Sequence, residues 1–392
     1  MQIFILSWEY PPYIAGGLGQ HVAELSPALV AQGIEVHILT PVPTHHETSC
    51  TNEAGVNVHR VATMLEASSD IHHQAVMANQ ILVNYANTLP RQDNSIIHAH
   101  DWLMSFAATT LQREWQCPLI ATVHATERGR VRGYVSSHLQ LAIEKAEYEL
   151  IIAATQIIVC SHSMFREVQA FFRTPVEKLN IIPNGVNVAS LSNGFPPNMS
   201  DFRANYVTRD ELLVFSIARL VYEKGIHLII QAAPRILAEL PNTRFVIAGR
   251  GPEGENLHQQ AQILGVADYI HFVGFISDRE RNGLFKVADC AIFPSLYEPF
   301  GIVALEAMAL GCPVIVSDIG GLAETVEHGK TGLTIYANDD HSAGWGILNM
   351  LKNPTEAKQY TLHAHKAIET VFNWSRIARL THEVYDKVIG SG

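Results

Sequence analysis

The sequence predicts an α/β protein with two doubly wound, Rossmann-like domains facing each other across a cleft. Short apolar runs alternate with amphipathic segments along the whole chain, which is typical of parallel sheets covered by helices. A length of 392 residues exceeds what one hydrophobic core usually supports. The turn-forming segment Pro183-Asn184-Gly185 interrupts the alternation, which then starts again.

The N-terminal domain is predicted at residues 1–185. Apolar runs of strand length lie at 2–7, 34–40, 56–61, 95–99, 118–123, 156–160 and 179–182. Amphipathic segments with helical spacing separate them at 17–32, 71–88, 102–115 and 137–154. This order predicts a parallel sheet whose strands are joined by helices.

The C-terminal domain is predicted at residues 186–373. Its strands are expected at 212–217, 243–248, 269–273, 290–293, 313–317 and 332–336. Its helices are expected at 225–238, 253–264, 278–286, 301–310, 341–351 and 356–371, and a last helical pattern covers 376–388. Ligands of such sheets bind beyond the carboxyl ends of the strands, so candidate residues are sought there.

Composition excludes several classes of function. A net charge of −11 argues against nucleic-acid binding, which depends on Lys and Arg. No apolar run reaches the ~18 residues of a membrane span, and the five scattered cysteines lack a C-x-x-C pair. The chain is therefore expected in the cytoplasm, in a reducing compartment.

The segment from Glu298 to Glu306 carries the most specific signal. It follows the apolar strand 290–293, and Pro299 suits a first helical turn while Gly301 exposes backbone N–H groups. Glu298 is then expected in the loop before the helix, and Glu306 about two turns into it. An anion at that helix tip would lie between two carboxylates, an arrangement that fits a nucleotide sugar.

Cations and glycines follow other predicted strands. Arg219 and Lys224 follow strand 212–217, where they can neutralise a diphosphate. Gly16-Gly17 opens the first helix, as a phosphate-binding turn or as a turn that only permits close packing. Gly249-Arg250 begins a G-x-G-x-x-G segment, but the acid that would complete a dinucleotide site is misplaced. We interpret it as a phosphate- or ribose-facing loop.

Histidines follow two strands of the first domain. His124 follows strand 118–123 and is a candidate for substrate contact, although a single histidine there is more often structural. His98 and His100-Asp101 suggest a catalytic pair, but the chain has no G-x-S-x-G segment to complete a hydrolase site. The absence of D-x-D predicts that charge neutralisation needs no metal.

Taken together, these segments resemble the retaining family-4 glycosyltransferases of the GT-B architecture. The resemblance covers almost the whole chain and rests on an ordered series: Gly16-Gly17, Ala218-Arg-Leu with Lys224-Gly225, Gly249-Arg-Gly-Pro-Glu253, Pro294 to Glu306, Ala307 to Val314, and Gly320 to Glu324. It implies that the final helix, 374–392, packs back on the first domain. No cofactor other than the co-substrate sugar nucleotide is implied.

The resemblance assigns roles to the candidate residues. Arg219 and Lys224 would hold the donor diphosphate, and Glu298 would orient the transferred hexose. Glu306 would take the ribose hydroxyls, and His124 would contact the sugar. The remaining donor contacts would come from Gly16, Gly17, Gly249, Arg250, Ile276, Phe300, Gly301, Ile302 and Val303.

The implied reaction is transfer of a hexose with retention of configuration by front-face attack. Ile14 stands where the glycogen and starch synthases have lysine, which favours a UDP-sugar over an ADP-sugar. The acceptor is expected to be a saccharide or a lipid-linked molecule. Arg128, Arg130 and Arg132 could reach an anionic membrane surface at the inner face, or form a solvated loop.

Other functions remain open at this point. A nucleotide-sugar 2-epimerase has the same architecture and would consume the donor without an acceptor. A nucleotide-sugar-binding protein without catalysis is a second alternative. A hydride-transfer enzyme is a third, and it would require NAD binding.

Overall fold

The computed structural model describes residues 1–14, 16–63, 70–192 and 195–390. The chain forms two compact units, the first containing Met1–Gly185 and Trp374–Gly392, the second containing Val186–Asn373. Residues 391 and 392, the end of the predicted C-terminal range, lie outside the described residues. Each unit has its own sheet, so the predicted pair of doubly wound α/β units is confirmed.

The first sheet has eight strands and is almost entirely parallel. Its strands are β1 (Gln2–Leu6), β2 (Glu35–Pro43), β3 (Ser49–Glu53), β4 (Val56–Thr63), β5 (Ser95–His100), β6 (Leu119–Val123), β7 (Gln156–Val159) and β8 (Leu179–Ile181). They lie in the order β3-β4-β2-β1-β5-β6-β7-β8, and within the described part of the chain only β3 is antiparallel to its neighbour. The strand order reverses between β1 and β5, which is where ligands of open sheets bind.

The second sheet has six parallel strands. They are β9 (Leu212–Ile217), β10 (Thr243–Ala248), β11 (Ile270–Gly274), β12 (Cys290–Phe293), β13 (Val314–Ser317) and β14 (Leu333–Ile335). Their order, β11-β10-β9-β12-β13-β14, is the 3-2-1-4-5-6 order of a dinucleotide-binding sheet. The reversal point therefore lies between β9 and β12.

Helices cover both sheets. Those of the first unit are α1 (Gly17–Val30), α2 (Ile71–Ala86), α3 (Ser105–Trp115), α4 (Glu127–Arg130), α5 (His138–Ala153) and α6 (His162–Phe172). Those of the second are α7 (Val188–Ser192), α8 (Met199–Ala204), α9 (Ile226–Glu239), α10 (Gly254–Ile263), α11 (Asp278–Val287), α12 (Ile302–Ala309), α13 (Leu322–Thr325), α14 (Asp340–Lys352) and α15 (Pro354–Thr370). No described helix is long and apolar enough to cross a membrane.

The last helix, α16 (Trp374–Ile389), completes the core of the first unit. Ile377 and Tyr385 are fully buried in the same apolar cluster as Val22 and Leu25 of α1. The hydroxyl of Tyr385 lies 2.7 Å from Nδ1 of His98 on β5. The chain thus leaves the first unit at Gly185 and returns to it to supply one of its core helices.

Strand β3 was not predicted. Its sequence, Ser-Cys-Thr-Asn-Glu, is polar and largely exposed, so it lacks the apolar signal of the other strands. It forms because the turn before β4 brings Glu53 opposite Val56 and starts an antiparallel ladder. The short helices α4, α7, α8 and α13 have four to six residues each, too few for a periodic pattern.

Candidate functional site

The second unit brings two loops together at the reversal point of its sheet. The loop after β9 contains the turn Tyr222–Lys224 and ends at Gly225, the residue before α9. The loop after β12 is tied to it, because the amide of Leu296 donates to the carbonyl of Glu223 at 2.7 Å. Side chains that are 74 residues apart in sequence therefore share one site.

An ion pair between Lys224 and Glu298 joins the two loops. Lys224 Nζ lies 2.7 Å from Glu298 Oε2, and the side chains are only 26% and 13% exposed. Ser295 Oγ donates to the same carboxylate at 3.3 Å. Both groups were predicted as donor contacts, and the structure places them in direct contact.

Arg219 follows β9 as predicted but extends into solvent. Its side chain is 70% exposed and pairs with Glu223 at 3.5 Å. An exposed pair of this kind contributes little to stability, so the guanidinium can change partners at low cost. The structure does not bring Arg219 to the Lys224–Glu298 pair.

Helix α12 begins one residue after the start of the predicted range 301–310 and three residues after Pro299. Pro299 and buried Phe300 precede it, and it starts at Ile302 after Gly301, whose φ of +92° favours glycine. Glu306 therefore lies about one turn into the helix, not two. The first N–H groups of a helix, here those of Ile302 and Val303, have no carbonyl acceptor within the helix.

Glu306 is buried and has a cationic neighbour that was not predicted. Its side chain is only 9% exposed, and Oε1 lies 3.6 Å from Nη2 of Arg281 on α11. Arg281 also pairs with Asp278 at 3.1 Å. No feature of the α11 sequence indicates this contact, because it depends on how α11 packs beside α12.

The loops after β10 and β11 border the same region. Gly249 donates its amide to the carbonyl of Gly274 at 2.7 Å, and the carbonyl of Arg250 accepts from Leu220 at 2.9 Å. The Arg250 side chain is exposed, and Ile276 is half-buried after β11. Three loops that carry predicted donor contacts are thus held together by backbone hydrogen bonds.

In the first unit, the predicted glycines follow β1 at the reversal point of that sheet. The amide of Gly16 donates to Glu9 Oε2 at 3.0 Å, and Gly17 is the first residue of α1. Both glycines are exposed. They begin a helix at a sheet edge, as the phosphate-binding interpretation requires.

His124 lies in a cluster of histidines at the same edge. Its Nε2 lies 3.0 Å from Nδ1 of His100, and its amide donates to Asp101 Oδ1 at 2.7 Å. His21 packs edge-on against His124 and contacts Asn184 Oδ1 through Nδ1 at 2.7 Å. The sequence places these residues in four separate segments, so only the strand order could have indicated the cluster.

Burial keeps His124 and His21 uncharged at neutral pH. It lowers the pKa of His124 to about 4 and that of His21 to about 3, since neither imidazolium is solvated. Burial also raises the pKa of Asp101 to about 6, against the influence of Arg130 and of two backbone amides. His124 can therefore donate or accept a hydrogen bond without a net charge.

The same cluster contains the metal-binding geometry found among the described residues. One nitrogen each from His21, His100 and His124 lies within 4.8 Å of the others. The His100–His124 hydrogen bond uses two of the available nitrogens. The prediction that no metal is needed remains a prediction.

The arginines after His124 are partly paired with acids. Arg128 contacts Glu144 at 2.5 Å, and Arg130 lies 4.0 Å from Glu127. Pairing lowers the charge that this loop can offer to an anionic surface. Membrane contact remains a prediction.

Two family models match this chain and divide it between the units. Glycosyltransferase Family 4 matches residues 15–190, and Glycosyl transferases group 1 matches residues 199–367. The sucrose-phosphate synthase from Thermosynechococcus elongatus superposes with a TM-score of 0.84 over 100% of both chains at 23% identity. This likeness supports the GT-B fold.

Two related proteins match this chain over nearly its whole length. The uncharacterized glycosyltransferase MJ1607 of Methanocaldococcus jannaschii is 34% identical, covering 98% of both chains. The glycogen synthase of Mycobacterium tuberculosis strain H37Rv is also 34% identical, covering 98% of this chain and 94% of the relative. The chain therefore belongs to the family-4 glycosyltransferases of the GT-B fold, and it is a glycosyltransferase.

Proposed function

We propose that this enzyme transfers a hexose, with retention of configuration and without a metal, from a UDP-sugar to a saccharide acceptor. The Lys224–Glu298 pair carries this proposal, since it spans the reversal point of the second sheet next to the start of α12. A cation, free helix amides and a carboxylate meet there. Diphosphate oxygens can bind the cation and the helix amides, and sugar hydroxyls can bind the carboxylate.

The proposed reaction is a single displacement on one face of the sugar. The bond from the anomeric carbon to the diphosphate oxygen breaks, and the acceptor oxygen bonds to the same carbon. The acceptor proton passes to the departing diphosphate. Lys224, Arg219 and the amides of Ile302 and Val303 stabilise the charge on that group, and loss of one such contact costs about 2.7–4 kcal/mol.

Glu298 acts in this proposal on the sugar hydroxyls. Because Lys224 already holds its carboxylate, Glu298 is oriented before the substrate arrives, which lowers the entropic cost of binding. Glu306 takes the ribose hydroxyls, and Arg281 lies 3.6 Å from its buried carboxylate. His124, Gly16 and Gly17 remain predicted donor contacts, as the family resemblance implies.

The identity of the donor and acceptor rests on two separate supports. Ile14 replaces the lysine of the glucan synthases, which favours uridine over adenosine. The M. tuberculosis relative named glycogen synthase supports a saccharide acceptor. The pairing of Arg128 and Arg130 with acids makes a lipid-linked acceptor the second choice.

A thermal-shift screen with UDP-, GDP- and ADP-glucose tests the donor. A ligand present at about 100 times its dissociation constant stabilises the protein by about 2.7 kcal/mol. We expect UDP-glucose to give the largest shift, with or without EDTA. A larger shift with ADP-glucose, or a requirement for a divalent cation, would contradict the proposed donor or mechanism.

Product analysis tests the reaction itself. The enzyme is incubated with the preferred donor and with maltose, maltoheptaose or a lipid-linked saccharide, and NMR identifies the anomer formed. We expect nucleotide release that depends on a saccharide acceptor, and an α-linkage from an α-donor. Donor consumption without acceptor would indicate an epimerase, and donor binding without turnover would indicate a binding protein.

A further inference from the structure

A cavity of about 600 Å³ lies on the second unit, and none of its lining residues is a predicted donor contact. It opens where β13 and β14 end and where α14 begins. Asp318 follows β13, Tyr336 follows β14, and Trp345 lies on α14. Its lining residues are Asp318, His328, Thr334, Ile335, Tyr336, Asp339, His341, Ser342 and Trp345.

Two large aromatic side chains of this cavity are exposed. Tyr336 is 73% and Trp345 45% exposed, values that leave flat apolar faces in contact with water. The ring of His328 lies nearly parallel to that of Trp345, with 6.1 Å between the ring centroids and 15° between the ring planes. A fixed aromatic face loses little conformational entropy when a flat ligand packs on it.

The polar groups of the cavity include donors and acceptors. His328 Nδ1 accepts from the Thr334 amide at 3.0 Å, so its proton lies on Nε2. His341 Nε2 faces Arg235 at 3.3 Å, so its proton lies on Nδ1. Asp318 and Asp339 supply carboxylate oxygens. Hydroxyl groups, which both donate and accept, match this mixture.

Charge narrows the choice of ligand. The lining contains two aspartates and no lysine or arginine, so it disfavours phosphate and other anions. We propose that this cavity binds a neutral saccharide chain, with sugar rings packed on Trp345 and Tyr336. This inference rests on the proposed function, because the chain that it binds is the saccharide acceptor.

The position of the cavity suits that role. In a parallel sheet the carboxyl ends of all strands lie at one edge, so the cavity and the Glu298 loop share an edge. Strand β14 is two positions from β12, a separation of about 10 Å at ~4.8 Å per strand. The cavity therefore holds sugar residues of the acceptor that are remote from its reacting end. Long acceptors gain more binding affinity from it than short ones.

Calorimetric titration of the full-length enzyme with maltoheptaose and cellohexaose tests the proposal. We expect one of them to bind, and Trp345→Ala and Tyr336→Ala each to weaken that binding at least tenfold. Tyr148→Ala serves as the matched control, because Tyr148 is 50% exposed on α5 of the other unit. It should bind like the wild type.

Kinetics separate this inference from the proposed function. Trp345→Ala should raise KM for the long acceptor about tenfold while leaving kcat, KM for maltose and the UDP-glucose thermal shift unchanged. If donor binding and transfer are normal but no oligosaccharide binds, or if neither substitution has an effect, the inference about the cavity is overturned. The proposed function would then stand. Absence of a donor shift in the wild type would overturn the proposed function instead.

Discussion

Lys224 is the residue on which the proposed chemistry most depends. We expect Lys224→Ala to lower turnover by about 10²–10³, since the leaving diphosphate loses a cation in a partly buried site. Arg219→Ala should also lower it by orders of magnitude. Turnover measured at saturating donor, with circular dichroism as a check of the fold, tests both.

Lys330→Ala is the control for this prediction. Lys330 forms a comparable pair with Glu327, at 2.8 Å, but in an exposed turn of the same unit. Its removal should leave turnover unchanged. Near-normal activity of Lys224→Ala would remove the assignment of the diphosphate site.

Glu147 gives a prediction about pH and stability. Burial raises its pKa from 4.5 to about 8, and one oxygen accepts from the Glu127 amide at 2.7 Å. Between pH 4.5 and 8 the folded state holds a proton that the unfolded state has released. The free energy of unfolding therefore falls as pH rises, by about 1.4 kcal/mol per unit.

Glu147→Gln should remove this fall, because the amide stays neutral at every pH. Urea unfolding at pH 5 and pH 8 should show the variant gaining stability over the wild type at the higher pH. Glu149→Gln, on the exposed side of the same helix, should behave like the wild type. Parallel curves for Glu147→Gln and the wild type would refute a raised pKa.

Individual residues of the site were predicted more completely than their contacts. Lys224 and Glu298 were recognised because each follows an apolar strand, but their ion pair depends on β9 and β12 being neighbours. Arg281 was missed because packing between helices brings it to Glu306. His21 was missed because a single histidine within a helix carries no signal of the cluster that it joins.

At the scale of elements, Gly225 connects the β9 loop to α9. Its φ is +68°, and a Cβ there would lie 1.9 Å from the carbonyl oxygen of Pro294. We expect Gly225→Ala to cost several kcal/mol of stability and to weaken UDP-sugar binding, because the loop must move away from the β12 loop. Chemical denaturation and donor titration test this.

Gly329→Ala isolates the contribution of the dihedral angle. Gly329 has the same φ of +68°, but no described atom lies within 4 Å of its Cβ position. That substitution should cost about 1–2 kcal/mol and leave donor binding unchanged. Equal effects of the two substitutions would mean that contact with Pro294 is unimportant.

Strands buried on both faces were the most predictable elements. The bounds of β9, β10 and β12 agree with the apolar runs, since most of their positions are buried and apolar. Pro299 was wrongly placed in the first turn of α12, because proline also fits an extended loop and Gly301 at positive φ delays the helix to Ile302. Local composition could not separate these two conformations.

At the scale of the whole molecule, the first unit is made from two separate parts of the chain. A protein ending at Asn373 would lack α16 and expose the apolar face of α1. We expect this truncation to abolish cooperative unfolding of the first unit, while the second unit, which contains Val186–Asn373, keeps its own transition. Calorimetry of the truncated and full-length proteins tests this.

A single substitution in α16 is a milder test of the contact between this helix and the rest of the first unit. Tyr385→Phe removes only the hydroxyl that faces His98 and should cost about 1 kcal/mol. A truncated protein as stable as the full-length one would show that α16 is not part of the first core.

The return of α16 to the first unit also affects synthesis on the ribosome. Roughly 190 residues separate Gly185 from Trp374, and translation at about 5–20 residues per second takes about 10–40 s to cover them. During that interval the newly made N-terminal part has an uncovered apolar surface on α1. The nascent chain is therefore a candidate client for chaperones until α16 emerges.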